Sequence, residues 1–142
     1  CELNDVYSLR YDYDLSVKMG KLKFTIECKK DVMAAKTQNI ALEYYNSKSN
    51  KPSGIYVTKA DVWVHLIPEK EDVLAYAISV SKLKCYMQTA TPFKHIKSGG
   101  DANSDMLIYK IKDIIPEFTR FDHVTNKSEL KALFVEVINE RV

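Results

Sequence analysis

Between Tyr11 and Lys30 apolar and polar positions alternate with a period of two. Tyr13, Leu15, Val17 and Met19 fall on one side and Asp12, Asp14, Ser16 and Lys18 on the other, the pattern of a half-buried strand. After Gly20, the set Leu22, Phe24, Ile26 and Cys28 alternates with Lys21, Lys23, Thr25, Glu27 and Lys29. The two segments therefore predict a hairpin turning near Met19 and Gly20. Lys30 to Gln38 reads as a connector without a sustained period, and Ile40, Leu42 and Tyr44 mark a third strand. Turn formers fill Asn46 to Gly54, which predicts a surface loop, followed by a short strand over Gly54 to Val57. Ala60 to Leu66 reads as one helical turn capped by Asp61 that leads into a strand. Pro68 with Glu69 to Asp72 predicts a turn, and Val73 to Val80 a mostly apolar strand.

In the second half, Ser81 is placed to cap a helix running to about Met87, with Leu83 and Tyr86 turned inward. Thr89 to Asp105 reads as a loop centred on Gly99, Gly100, Asp101, Asn103 and Ser104, and Met106 to Ile111 as a strand. From Ser128 the apolar positions Leu130, Leu133, Phe134, Val137 and Ile138 recur every three or four residues, so the tail predicts an N-capped helix packed on the sheet. Strands interleaved with two or three helices, without repeats or low-complexity segments, predict one α/β or α+β domain over residues 1–142 with a mixed sheet.

Composition narrows this picture. The chain has 142 residues, 46% apolar and 28% charged, which predicts a packed core. No apolar run approaches the length of about 20 residues that a membrane-spanning helix requires, so no membrane partner is expected. The formal charge is only +2, from 21 basic and 19 acidic residues, so local clustering must reveal any polyanionic partner. Lys18, Lys21 and Lys23 on the hairpin, with Lys29, Lys30 and Lys36, supply a local basic field of the kind that meets phosphates. Three cysteines without CxxC or Cys/His spacing support neither a disulfide framework nor a zinc site. With no basic segment followed by an apolar stretch at the start, the expectation is a reducing compartment, cytoplasmic or nuclear, rather than secretion.

The hairpin carries the chemistry. Parity places Asp12, Asp14, Glu27 and Lys29 on one face. Two carboxylates on adjacent strands can hold a hard divalent cation, and a lysine two residues beyond Glu27 can sit near a metal-bound water. The competing reading is ordinary cross-strand charge pairing, worth roughly 0.2–1 kcal/mol per pair. Register decides which aspartate serves. A tight turn at Met19-Gly20 sets Asp12 opposite Glu27, whereas a wider turn from Met19 to Leu22 sets Asp14 opposite Glu27.

Asp14-Leu15 followed by Glu27-Cys28-Lys29 resembles the core of the PD-(D/E)XK nuclease superfamily, an acid followed by Glu-X-Lys across a hairpin. The chain continues with Lys29-Lys30-Asp31, Lys36-Thr37-Gln38-Asn39-Ile40-Ala41-Leu42-Glu43, Pro52-Ser53-Gly54-Ile55, Thr58-Lys59-Ala60-Asp61-Val62-Trp63-Val64 and, later, Gly99-Gly100-Asp101. That run is similar to a viral and phage branch of Holliday-junction-resolvase-like endonucleases, over roughly Tyr11 to Leu66. The resemblance implies a restriction-endonuclease-like α/β fold, a mixed central sheet flanked by helices. It implies an Mg²⁺- or Mn²⁺-dependent deoxyribonuclease acting on DNA, with branched DNA as a candidate substrate. Asp14, Glu27 and Lys29 are then the catalytic set. Asp14, Glu27 and the backbone carbonyl of Cys28 would hold the cation, and Asp14 is favoured over Asp12 because an apolar residue follows it. A resolvase makes two symmetric cuts, so a homodimer would follow for that subclass.

Further positions carry weaker expectations. Lys30, Lys36, Gln38 and Ser53 are candidates for nucleic-acid contact, as is the loop from Ser47 to Ser53 with Lys48 and Lys51. Glu43, opposite in parity to Ile40 and Leu42, is an alternate acid for the hairpin face. His65 reads as a satisfied structural histidine and Trp63 as core. Two other classes compete with the enzyme: a non-catalytic nucleic-acid-binding or assembly protein retaining the nuclease fold, and a small-molecule binder whose acidic hairpin face is incidental.

Overall fold

The computed structural model describes residues 2–5 along the backbone, and residues 15–97 and 103–140 with their side chains. The chain opens with β1 (Glu2–Asp5), β2 (Leu15–Met19) and β3 (Leu22–Lys30). Gly20 lies in the left-handed region at φ +61° and, with Lys21, closes the hairpin between β2 and β3. A short helix, α1 (Ala34–Thr37), leads to β4 (Asn39–Asn46) and the two-residue β5 (Lys51–Pro52). A 3₁₀ turn at Gly54–Tyr56 precedes β6 (Val62–Glu69), β7 (Asp72–Ser79) and α2 (Val80–Thr89). The remainder is β8 (Lys94–Ile96), β9 (Ser104–Lys110), α3 (Ile111–Ile114), a 3₁₀ turn at Ile115–Glu117, β10 (Thr119–Arg120) and α4 (Lys127–Asn139).

These strands form two sheets. The first has the order β1-β2-β3-β6-β7-β10, and the second the order β5-β4-β9-β8. The first sheet is mixed, because β3 and β6 run parallel with Ile26 opposite Val62 and Lys30 opposite Leu66, while its other pairs are antiparallel. The second sheet is antiparallel throughout. Sequence reasoning anticipated the α/β class and a mixed sheet. It expected helices flanking that sheet, whereas one face is covered by α4 and the other by the second sheet together with α2.

On that face, Val17, Met19, Phe24, Ile26, Val62, Val64 and Ala77 pack against Phe134 and Val137 of α4. The Phe24 and Phe134 rings stack at 5.0 Å between centroids. The opposite face meets the second sheet and α2: Trp63, Ile67 and Ile78 share a core with Ile40, Leu42, Tyr109, Leu83 and Met87. Alternation along β6 therefore feeds two cores from one strand, Val62 and Val64 to one side and Trp63 and Ile67 to the other. A strand buried on both faces reads as a near-continuous apolar run, as Val62 to Ile67 does.

Other expectations need local correction. The segment Gly54 to Val57 is not a strand. Gly54 at φ +55° starts a 3₁₀ turn so close to β4 that an added Cβ would stand 2.2 Å from the Glu43 carbonyl oxygen. Ala60 and Asp61 form no helical turn, because the Asp61 carboxylate is engaged across the sheet with Thr25. Helix α2 starts at Val80 rather than after Ser81, capped by the Ser79 hydroxyl, which accepts from the Lys82 N–H. Helix α4 is capped by Asn126 rather than Ser128. The loop expected over Thr89 to Asp105 contains β8.

No helix among the described residues is long and apolar enough to cross a membrane. Cys28 and Cys85 are both half-buried.

Candidate functional site

Strand β3 carries Phe24, Ile26 and Cys28 on the side packed toward α4, so Thr25, Glu27 and Lys29 share the opposite side. Glu27 lies beside Trp63 of β6 and is half-buried, and Lys29 lies beside His65 and is exposed. Lys30, the last residue of the strand, is exposed as well. Cys28 contributes its side chain to the core edge, while its backbone runs between Glu27 and Lys29.

Hydrogen bonds tie the segment to β6 on both sides of Glu27 and Lys29. Before it, the Thr25 N–H donates to Asp61 Oδ2 at 2.9 Å and the Thr25 hydroxyl donates to the same oxygen at 3.2 Å. The Asp61 N–H in return donates to the Thr25 carbonyl at 3.1 Å. After it, the Asp31 N–H donates to the Leu66 carbonyl at 2.8 Å, and Asp31 Oδ2 lies 3.0 Å from His65 Nε2. Trp63 Nε1–H donates to His65 Nδ1 at 3.2 Å. Indole nitrogen can only donate, so His65 Nδ1 accepts and the Nε2 proton points to Asp31.

His65 is fully buried and the Asp31 side chain is 10% exposed. Burial pushes the Asp31 carboxyl up, but the hydrogen bond from His65, with the backbone N–H groups of Ala41 and Met33, outweighs it. The carboxyl is thereby held below its ordinary range. This agrees with the reading of His65 as structural and of Trp63 as core. The Asp31 and Asp61 anchors are what sequence reasoning missed. Both stood in the quoted motif run, but their partners lie 34 and 36 residues away, so no local period reveals them.

The β2–β3 register pairs Leu15 with Ile26, Val17 with Phe24 and Met19 with Leu22. Of the two registers open from sequence, this is the one with Lys18 opposite Lys23, associated there with Asp14 rather than Asp12. Asp12 and Asp14 themselves lie outside the described residues, as do Gly99, Gly100 and Asp101. Among the described residues no group of three or more His, Cys, Asp or Glu is arranged to hold a metal ion. The described part of the hairpin offers the Glu27 carboxylate and the Cys28 carbonyl. These are oxygen donors of the type a hard divalent cation takes, which fits the implied Mg²⁺ or Mn²⁺ in kind.

The remaining expected residues are distributed more widely. Glu43 belongs to the second sheet, on the side of β4 opposite the core-facing Ile40 and Leu42, and accepts a hydrogen bond from the Ser104 hydroxyl. The structure therefore does not place it beside Glu27. Lys36 is exposed on α1. Gln38 ends α1 in the left-handed conformation, and its Nε2 donates to the Ala35 carbonyl at 2.7 Å, a helix-closing role. Ser53 is half-buried ahead of the Gly54 turn, and its hydroxyl is buried without a hydrogen-bond partner among the described residues.

No protein-family model, curated protein sequence or solved structure matches this chain.

Proposed function

We propose that the chain is a metal-dependent DNA endonuclease with a PD-(D/E)XK-type site on a restriction-endonuclease-like sheet. The observation that carries this reading is the placement of Glu27 and Lys29 on one side of a strand held to β6 at Thr25–Asp61 before them and at Asp31–His65 after them. A carboxylate and an amine two residues apart gain from such fixing, since misplacement of about 1 Å can cost on the order of a hundredfold in rate. The observed register of the hairpin supports Asp14 as the second acid.

Asp14, Glu27 and the Cys28 carbonyl would hold Mg²⁺ or Mn²⁺, which when bound lowers the pKa of a coordinated water and offsets charge on the phosphate. Lys29 contributes an exposed ammonium to the same strand side, where it stabilises the negative charge that builds in phosphodiester hydrolysis and orients the attacking water. Exposed Lys30 and Lys36 add attraction for the DNA backbone.

The test is cleavage of linear duplex, single-stranded and four-way-junction DNA with and without Mg²⁺ or Mn²⁺. Glu27→Gln should reduce the rate at least a thousandfold, and Lys29→Ala at least a hundredfold with DNA affinity retained, about 4 and 2.7 kcal/mol of barrier. Asp14→Asn should abolish cleavage while Asp12→Asn leaves most of it. Cleavage that survives a chelator, or survives Glu27→Gln, would overturn the assignment. A preference for the four-way junction, together with a dimer in sedimentation, would place the chain in the resolvase-like branch.

A further inference from the structure

From Lys29 the chain passes the exposed Lys30 and Lys36 before turning at Gln38 into the second sheet. There Thr37, Gln38, Asn39, Phe93, Lys110 and Lys112 line a cleft of about 350 Å³. Its walls come from the end of α1, the start of β4, the segment before β8, and the junction of β9 with α3. Backbone hydrogen bonds fix these walls to one another. Asn39 pairs with Lys110 across the sheet, the Ile111 N–H donates to the Gln38 carbonyl at 2.9 Å, and the Phe93 N–H donates to the Ile108 carbonyl at 2.8 Å.

Phe93 is 57% exposed, against 36% for Tyr56, the other exposed Phe or Tyr among the described residues. The Lys110 ammonium stands 4.7 Å from the centre of its ring, and Lys112 is exposed on the first turn of α3. An exposed aromatic ring with the Lys110 ammonium over one face and a second amine in the same cleft, edged by a hydroxyl and two carboxamides, has the features of a nucleotide subsite. The ring face away from Lys110 offers a stacking surface for a base, the amines meet a phosphate, and the Asn39 carboxamide with the Gln38 Oε1 offers hydrogen bonds to sugar or base edge, the Thr37 hydroxyl and Gln38 Nε2 being engaged within α1. The volume is near the lower end of the roughly 300–1,000 Å³ typical of small-ligand clefts, which suits one nucleotide. Bases inside a duplex are already stacked on their neighbours. A ring presented in this way therefore selects a nucleotide that is unpaired.

We propose that this cleft binds an unpaired DNA nucleotide, by stacking on Phe93 and phosphate contact with Lys110 and Lys112. The inference deepens the nuclease reading and rests on it for the choice of DNA. It directs the protein to substrates with a single-stranded portion, such as a fork, a flap or an open junction.

The experiment measures binding by the full chain in chelator-containing, metal-free buffer, so that cleavage plays no part. The probes are a labelled oligothymidine, a forked duplex and a blunt duplex. Phe93→Ala should weaken binding to oligothymidine and fork about tenfold or more, and to blunt duplex less than twofold. Phe93→Tyr should restore the affinity. Lys110→Gln should reduce the salt slope on oligothymidine by about 0.7, the value for one lost phosphate contact on a single strand. Melting curves confirm that the variants fold. Affinity for oligothymidine and fork that is unchanged in Phe93→Ala overturns the proposal, as does an equal loss on all three probes. Phe93-dependent binding without cleavage in Mg²⁺ would remove the nuclease reading and leave the cleft. Glu27-dependent cleavage with Phe93-independent binding would remove the cleft alone. Absence of binding to every probe removes both.

Discussion

Asp31 illustrates how one carboxylate can serve structure next to a site of chemistry. It neutralises the polar demand of a fully buried imidazole and receives the Ala41 N–H at 3.5 Å. Asp31→Ala leaves the His65 Nε2–H buried without its partner, and should cost about 2–3 kcal/mol in urea denaturation. Asp31→Asn keeps an acceptor in place and should cost less. The two variants also differ from the parent in acid. Because the folded carboxyl is held below its ordinary value, its contribution is present above about pH 4 and is lost as pH falls through the lowered folded value. The acid limb of stability should therefore be shallower in Asp31→Asn than in the parent. The same comparison shows why Glu27 and Lys29 were legible in sequence and Asp31 was not. Strand parity alone assigns the first two to a side, whereas the role of Asp31 depends on a parallel neighbour that the chain supplies only after the whole β4 excursion.

At the level of elements, period-two alternation located β2, β3, β4 and β6, apolar strand character located β7 and β9, and a three-to-four spacing located α4, because each buries a side or a stripe against a core. Helix starts were displaced by one or two residues where two capping residues compete nearby. In α2 the apolar phase Val80, Leu83 and Met87 begins before Ser81, so Ser79 is left as the cap. In α4 the Asn126 side chain accepts from the Ser128 N–H at 2.8 Å and the Glu129 N–H at 3.3 Å. Asn126→Ala should lower stability by about 1 kcal/mol, and Ser128→Ala by a few tenths at most, both read from denaturation midpoints. Equal effects would assign the start of α4 to Ser128. The short strand expected at Gly54 became a 3₁₀ turn for a reason no sequence window contains, the approach of its backbone to Glu43.

Over the whole molecule, sequence reasoning gave one mixed sheet because the apolar phase of β4 is the same whichever sheet it joins. Ile40 and Leu42 had to be buried, and the second sheet buries them against the first. The consequence for the candidate site is geometric. The β3 side that carries Glu27 and Lys29 belongs to the same sheet face that the second sheet partly covers, and the cleft at Phe93 lies on that second sheet and its flanking segments. A substrate strand engaging both would contact both layers. The near-neutral total charge makes such contact depend on local lysines rather than on a long-range field.

Strand β6, like β7 beside it, faces both apolar interiors, and Trp63, the sole tryptophan, is built into it. Neither interior can dissolve while its neighbour persists, because freeing this one ribbon exposes both at once. Heating should then yield one sigmoid, with indole fluorescence and far-ultraviolet dichroism falling together and the amides of residues 62–67 the last to exchange with deuterium. Two separated transitions would mean that the layers come apart independently, each with a wall of its own.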